Sequence, residues 1–185
     1  MLYSAKLATL LIDLLTPEEE QSDRQTKRLG CDMDRLVARL MGVTNWLLNN
    51  PTTQNLKIGY LDDSIGSPGA LVAATFFQGT VRAIACYSGH IDLTGSALFH
   101  VRVPILLVVG GKDAPIVGIN RRAMYYLRTK KQLVIIPNVT HLFEKPGSLE
   151  EVAQLASRWF GHYLAPADRQ ELDVQGANEQ KAIGR

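Results

Sequence analysis

Short apolar runs alternate with segments of helical periodicity along this chain. The first run, Leu7 to Leu15, is continuous rather than alternating, which is typical of a strand buried on both faces of a parallel sheet. Strands are predicted at Leu7 to Leu15, Leu56 to Leu61, Val81 to Tyr87, Val103 to Val109 and Gln132 to Ile136. Helices are predicted at Asp32 to Asn49, Gly69 to Phe77, Ile119 to Leu127 and from Ser148 onward. The alternation predicts an α/β fold, a three-layer α/β/α sandwich with a mostly parallel sheet.

Polar segments lie between the first predicted elements and after the last one. Thr16 to Gly30 is predicted to be a loop, and the last helix is expected to open with a capping box formed by Ser148 and Glu151. From Pro166 the chain is rich in Gln, Asp, Glu and Gly and has almost no apolar periodicity. We therefore expect one domain over residues 1–165 and a disordered polar tail over 166–185.

Composition narrows the functional class. The 185 residues are 46% hydrophobic, enough for one domain with a core, and 20 Lys and Arg face 18 Asp and Glu for a net charge of +2. The basic residues look scattered along the chain, which argues against a nucleic-acid partner. Cys31 and Cys86 lack metal-site or disulfide spacing, so a reducing cytoplasm is expected. Asp13 and Pro17 interrupt the first apolar run well before the ~20 residues that span a membrane, so no membrane partner is expected.

The chemistry centres on the turn after the second predicted strand. There the chain reads Asp62-Asp63-Ser64-Ile65-Gly66 and continues into an Ala-rich helix. A nucleophile elbow of the form G-x-S-x-G exposes a serine hydroxyl at such a turn, with the backbone N–H of the next residue as an oxyanion donor. Gly66 matches the second glycine, but Asp62 stands at the first.

Two further residues follow later strands. Ligand sites of open α/β sheets lie beyond the carboxyl ends of the strands, and there Ser64 is followed by Asp113 and then by His141. This chain order suits a triad in which the serine attacks, the imidazole takes its proton and the carboxylate orients the imidazole. Ser64 and Asp113 could instead serve only as helix caps. Asp92, after the third strand, is an alternative acid.

Two other kinds of site are less well supported by the pattern. Asp62, Asp63, His90 and Asp92 together could suggest a metal site, but they have no ligand-motif spacing, so no metal is expected. The run from Gly66 to Gly69 lacks the lysine and the spacing of a phosphate-binding loop.

Several segments resemble one enzyme family. These are Asp13 to Glu20, Ile58 to Tyr60, Val109 to Asp113 and Thr140 to Gly147. They are similar to the dienelactone-hydrolase-like branch of the α/β-hydrolases, whose members sometimes accompany phosphoribosyltransferase domains. The resemblance covers nearly all of residues 7 to 164. It implies Ser64 as nucleophile, Asp113 as acid, His141 as base and Ile65 as oxyanion donor. It also implies hydrolysis of a small carboxylic ester, lactone or thioester without metal or organic cofactor.

The chain also departs from that family. The family elbow reads Gly-x-Ser-Thr-Gly, so Asp62 must be displaced or must strain the turn, and two carboxylates oppose the charge of a tetrahedral intermediate. The family has earlier strands, one of which carries the second oxyanion donor, and these are expected to be missing here. Two hypotheses stay open: a serine hydrolase, or a degenerate hydrolase fold that acts as a binding or assembly module. An exposed sheet edge would allow a homo-oligomer.

Overall fold

The computed structural model describes residues 2–19, 21, 33–64 and 66–165. Most of the predicted loop from Thr16 to Gly30 and all of the predicted tail 166–185 lie outside the described residues. These residues contain four strands: β1 (Ile58–Asp63), β2 (Val81–Tyr87), β3 (Ile105–Gly110) and β4 (Lys131–Ile136). The longer helices are α1 (Met33–Asn49), α2 (Gly66–Phe76), α3 (Ala114–Tyr126) and α4 (Ser148–Leu164). Two 3₁₀ segments cover Tyr3–Ala5 and Ile91–His100.

The four strands form one parallel sheet in the order β1-β2-β3-β4. Every residue of β3 is buried, which explains why its sequence is apolar without alternation. Ile105 and Leu107 face a core shared with α1, α2 and α3, whereas Leu106 and Val108 face a second core against α4. The predicted three-layer α/β/α sandwich is therefore confirmed.

The first predicted strand is wrong. Residues 7–13 form no strand, and the exposed fraction of Leu11 is 95%. The two ends of the predicted strand lie on opposite sides of the sheet. Leu7 packs in the core that contains α4, whereas the Leu14 carbonyl accepts a 2.6 Å hydrogen bond from Arg39 of α1. An apolar run becomes a strand only where a neighbouring strand pairs with its backbone. β1 is the edge of the sheet, and among the described residues only β2 pairs with it.

The predicted loop begins with a helical turn instead. Residues 17–19 and 21 are helical. The Thr16 N–H donates to the Glu19 carboxylate at 2.8 Å and the Glu19 N–H donates to the Thr16 hydroxyl at 3.3 Å. This reciprocal pair is a capping box. Arg39 holds Glu19 from α1 at 2.6 Å, and its hydrogen bonds lower the pKa of that carboxyl to about 2.

The predicted capping box of the last helix is wrong. The N-cap of α4 is Gly147, which adopts φ 83°, and Ser148 is already the first helical residue. The Ser148 hydroxyl lies 2.6 Å from the carbonyl oxygens of both Phe143 and Lys145. The Ser148 hydroxyl therefore stabilises the preceding loop and does not cap the helix.

None of the helices in the described part of the chain combines the length and the apolar character that crossing a bilayer requires.

Candidate active site

Ser64 lies on a strained turn directly after β1. Its φ is 40°, a left-handed conformation that a non-glycine residue rarely adopts. Neighbouring backbone holds it there, since its N–H donates to the Tyr87 carbonyl at 3.0 Å and its carbonyl accepts from the His90 N–H at 3.2 Å. The half-buried serine thus has the backbone character of a nucleophile elbow. The predicted oxyanion donor, Ile65, lies outside the described residues.

Asp113 is positioned by two glycines at the end of β3. A Cβ on Gly110 would collide with the Thr140 carbonyl oxygen, so only glycine allows the loop after β4 to approach this closely. The Gly111 N–H donates to the Ile136 carbonyl at 2.8 Å and the Lys112 N–H donates to the Val139 carbonyl at 2.9 Å. These bonds join the turn that carries Asp113 to the loop that carries His141.

The two predicted triad residues after β3 and β4 are in contact. His141 Nδ1 lies 2.6 Å from Asp113 Oδ2, and half of the histidine side chain is exposed. The other carboxylate oxygen of Asp113 accepts the Ile116 N–H at 3.2 Å, so Asp113 also caps α3. Because the carboxylate holds Nδ1, Nε2 is the nitrogen left for proton transfer. Asp92, the alternative acid, is exposed in the second 3₁₀ segment, and the contact to the ring comes from Asp113.

The carboxyl ends of β1, β3 and β4 bring Ser64, Asp113 and His141 to the same edge of the sheet. Among the described residues, no hydrogen bond joins the Ser64 hydroxyl to the His141 ring. Such contacts are often long in a ligand-free enzyme and tighten when substrate binds.

Asp62 is accommodated by the glycine that follows the serine. Its carboxylate packs directly on Gly66, in the space that a Cβ at Gly66 would fill. Asp62 Oδ1 also accepts the Asp63 N–H at 2.7 Å. Desolvation raises the pKa of Asp62 to about 7, an effect that the nearby Asp63 charge increases. The Asp62 side chain therefore packs against the start of α2 and stays within the elbow.

The acids give this end of the sheet a negative field. Burial is the main cause that raises the pKa of the Cys86 thiol to about 12, and the Asp62 charge adds to it. Burial followed by the Asp63 charge also raises the pKa of Tyr87 to about 12. A negative field of this kind disfavours further negative charge beside Ser64.

Ser88 is a residue of this site that the sequence reasoning missed. It is buried at the end of β2 with φ 52°, and its hydroxyl donates to the His141 carbonyl at 2.5 Å. Ser64, Asn138 and Phe143 also adopt positive φ near these strand ends. Strained backbone of this kind clusters at functional sites. The signal in the sequence is the pair Ser88-Gly89, which directly follows the strand predicted at Val81 to Tyr87.

Comparison with known proteins places this geometry in a family. No protein-family model matches the chain. Proteins from two strains of Mycobacterium tuberculosis, provisionally named as phosphoribosyl transferases, are 44% identical over 164 residues, which are 89% of this chain and 36% of theirs. The chain thus spans about a third of the length of these curated relatives.

Solved structures give the more complete match. A dienelactone hydrolase from Anabaena variabilis is 54% identical with a TM-score of 0.82, covering 89% of this chain and 76% of that one. A dienelactone hydrolase-like promiscuous phosphotriesterase from metagenomic libraries is 13% identical with a TM-score of 0.69, covering 89% of this chain and 78% of that one, and shows the shared fold. The parallel sheet and the 54% sequence identity to the Anabaena protein show that this chain belongs to the dienelactone-hydrolase-like α/β-hydrolases.

Proposed function

We propose that this chain is a serine hydrolase that cleaves a small carboxylic ester, lactone or thioester. The observation that carries the proposal is the 2.6 Å contact between His141 and Asp113, at the sheet edge where Ser64 occupies a strained turn. The Anabaena relative, 54% identical, is named a dienelactone hydrolase. The name phosphoribosyl transferase describes proteins of which this chain matches 36%, and hydrolysis is proposed for the matching part.

The proposed reaction has two steps. Ser64 Oγ attacks the carbonyl carbon while its proton passes to Nε2 of His141, and Asp113 stabilises the imidazolium that forms. The tetrahedral intermediate collapses, the leaving group takes the proton from His141, and an acyl-serine remains. Water then attacks the acyl-serine, with His141 again taking and returning the proton. The proposed donor to the oxyanion is the backbone N–H of Ile65, and the reaction uses no metal or organic cofactor.

A fluorophosphonate probe tests the assignment of Ser64, because it reacts with an activated serine in the absence of any known substrate. We expect the folded protein to be labelled and Ser64→Ala to lose the label. The control is Ser96→Ala, which removes an exposed serine from the second 3₁₀ segment and should label like the parent. Labelling of Ser64→Ala equal to that of the parent would rule Ser64 out as the nucleophile. Absence of labelling in both the parent protein and the variant with Asp62→Gly and Asp63→Ala would rule it out as well.

A degenerate hydrolase fold that acts as a binding or assembly module is the second candidate. It is favoured by the Asp62 carboxylate packed into the elbow and by the open edge of β1. Replacing both acids, Asp62→Gly with Asp63→Ala, separates the two candidates. Faster labelling of Ser64 indicates a hydrolase slowed by its own carboxylates, whereas no labelling before or after the change indicates a module.

A further inference from the structure

Acidic residues are depleted in one part of this chain, although basic residues occur throughout it. Residues 93 to 143 contain seven of the 20 basic residues but only one of the 18 acidic residues, Asp113. The rest of the chain therefore has 13 basic and 17 acidic residues. The net charge of +2 therefore combines a positive segment, residues 93 to 143, with a remainder of the chain that is negative in sum.

The fold gathers part of this region around the carboxyl end of α3. The rings of Phe99 and Tyr126 meet edge to face with centroids 5.3 Å apart. The Arg102 guanidinium donates to the Phe99 carbonyl at 2.8 Å, and the Thr129 hydroxyl donates to the Arg102 carbonyl at 2.8 Å. These contacts tie the 3₁₀ segment, the end of α3 and the turn before β4 into one surface.

We name this surface the basic aromatic patch and define it as Phe99, Arg102, Arg121, Arg122, Tyr125 and Tyr126. Its aromatic side chains are unusually exposed, at 86% for Tyr125, 49% for Tyr126 and 45% for Phe99. On α3 each tyrosine follows an arginine by four residues, so the four side chains share one exposed face. Within the described ranges, no carboxylate lies within ion-pairing distance of the three arginines.

The patch lies away from the candidate active site. α3 begins beside Asp113, at the carboxyl end of β3, and ends before the start of β4. The helix therefore runs antiparallel to the strands, and its last turn reaches the end of the sheet opposite Ser64 and His141. A ligand of this patch does not need to enter the catalytic site.

We propose that the basic aromatic patch docks an acidic segment of a partner protein. Arginine pairs with carboxylates through two parallel hydrogen bonds, and tyrosine and arginine are the residues that most often dominate binding at protein interfaces. The contact between Phe99 and Tyr126 already orders part of the surface, which reduces the entropy lost on binding.

The charge distribution favours a short acidic segment over a nucleic acid. The 13 residues of α3 span roughly 20 Å at 1.5 Å per residue, a length that a peptide of a few residues can cover. A longer nucleic acid would extend over the rest of the described surface, where acidic residues outnumber basic ones and repel phosphates. A peptide with carboxylates beside an apolar or aromatic residue matches both parts of the patch.

Fluorescence anisotropy tests the proposal with a labelled peptide of about twelve residues that alternates Asp and Glu with Leu and Phe. We expect saturable binding to the full chain at physiological salt. The double variant Arg121→Ser with Arg122→Ser, and separately Tyr125→Ala, should each weaken binding about tenfold or more. Circular dichroism confirms that each variant is folded, and the exposed positions make that outcome expected.

The matched control is Arg82→Ser with Arg158→Ser, two exposed positions outside the patch with the same change in net charge. It should bind the peptide like the parent protein. If the control pair weakens peptide binding equally, the effect depends on net charge alone and the proposal is overturned. Absence of saturable binding to the parent protein would also overturn it. Tighter binding of a single-stranded oligouridylate of the same length would also overturn it, in favour of nucleic acid.

Discussion

Asp62 is the residue at which this chain departs from the elbow motif. Its carboxylate occupies the space above Gly66, so the turn is formed without the first glycine of the motif. The departure changes the charge of the site more than its shape. Burial raises the pKa of Asp62 to about 7, compared with an ordinary value of 3.8.

This shift links stability to pH. The folded state disfavours the ionised carboxyl, so the stabilising effect of the protonated form is complete below pH 3.8 and is lost as pH rises to about 7. A shift of about three pKa units corresponds to about 4 kcal/mol in the free energy of unfolding. We predict that Asp62→Asn removes this loss and is more stable than the parent protein by a few kcal/mol at pH 8, with a much smaller difference at pH 4.

Denaturant unfolding at both pH values measures the effect. The control is Asp63→Asn, which changes the exposed neighbouring carboxylate that accepts a 3.3 Å bond from the Tyr87 hydroxyl. The control should show only a small part of the gain at pH 8, because burial is the main cause of the raised Asp62 pKa and the Asp63 charge is a lesser one. A gain for Asp62→Asn that is the same at both pH values would contradict the assigned ionisation.

The loop between β4 and α4 is the element that determines the geometry of the candidate site. Three neighbours hold it: Gly110 at the end of β3, Ser88 at the end of β2, and Ser148 at the start of α4. An edge-to-face contact between Tyr87 and Phe143, with centroids 5.6 Å apart, adds an aromatic anchor. The position of His141 therefore depends on three elements besides its own loop.

We predict that Ser88→Ala displaces His141. The change removes the buried donor to the His141 carbonyl and should lower the free energy of unfolding by about 1 to 2 kcal/mol. It should also slow fluorophosphonate labelling of Ser64 and shift the imidazole proton resonances of His141 in NMR spectra.

Ser148→Ala provides the matched control, since it removes another buried hydroxyl that binds the same loop, at Phe143 and Lys145. It should lose similar stability but change the His141 resonances less. If both variants alter labelling and resonances equally, Ser88 has only a general structural role.

At the scale of the whole molecule, β1 is an edge of the sheet and has a strand partner on one side only among the described residues. Leu61 on this strand is partly exposed, and the apolar stretch of residues 7–13 has no strand pairing. An unpaired edge beside apolar side chains favours association with another chain. We propose that the protein forms homo-oligomers through this side.

Lysine at this side should prevent that association, because edge lysines oppose strand pairing. We predict that Leu61→Lys shifts the protein toward monomer in sedimentation velocity experiments at rising concentration. Phe76→Lys replaces an exposed apolar side chain at the end of α2 and serves as the control. Unchanged association in the β1 variant, or an equal shift in the control, would exclude this side as the interface.

Much of the architecture could be predicted from local pattern. The strand at Val81 to Tyr87 has the predicted bounds, and β3 and β4 differ from their predicted bounds by one or two residues. β2 and β3 lie inside the sheet, where burial on both faces favours a nearly continuous apolar run, whereas β4 is an edge strand whose apolar residues follow two exposed polar ones. The positions of Ser64, Asp113 and His141 after β1, β3 and β4 could likewise be predicted from the chain, because parallel topology brings strand ends to one edge.

The sequence alone determined the layers, the family resemblance and the candidate residues, because periodicity and motif spacing are properties of the chain itself. Only the tertiary structure decided that Leu7 to Leu15 is not a strand, since strand formation requires a pairing partner. It also decided that Ser88 holds the histidine loop and that Gly66 makes room for Asp62, because both contacts join residues that different elements bring together.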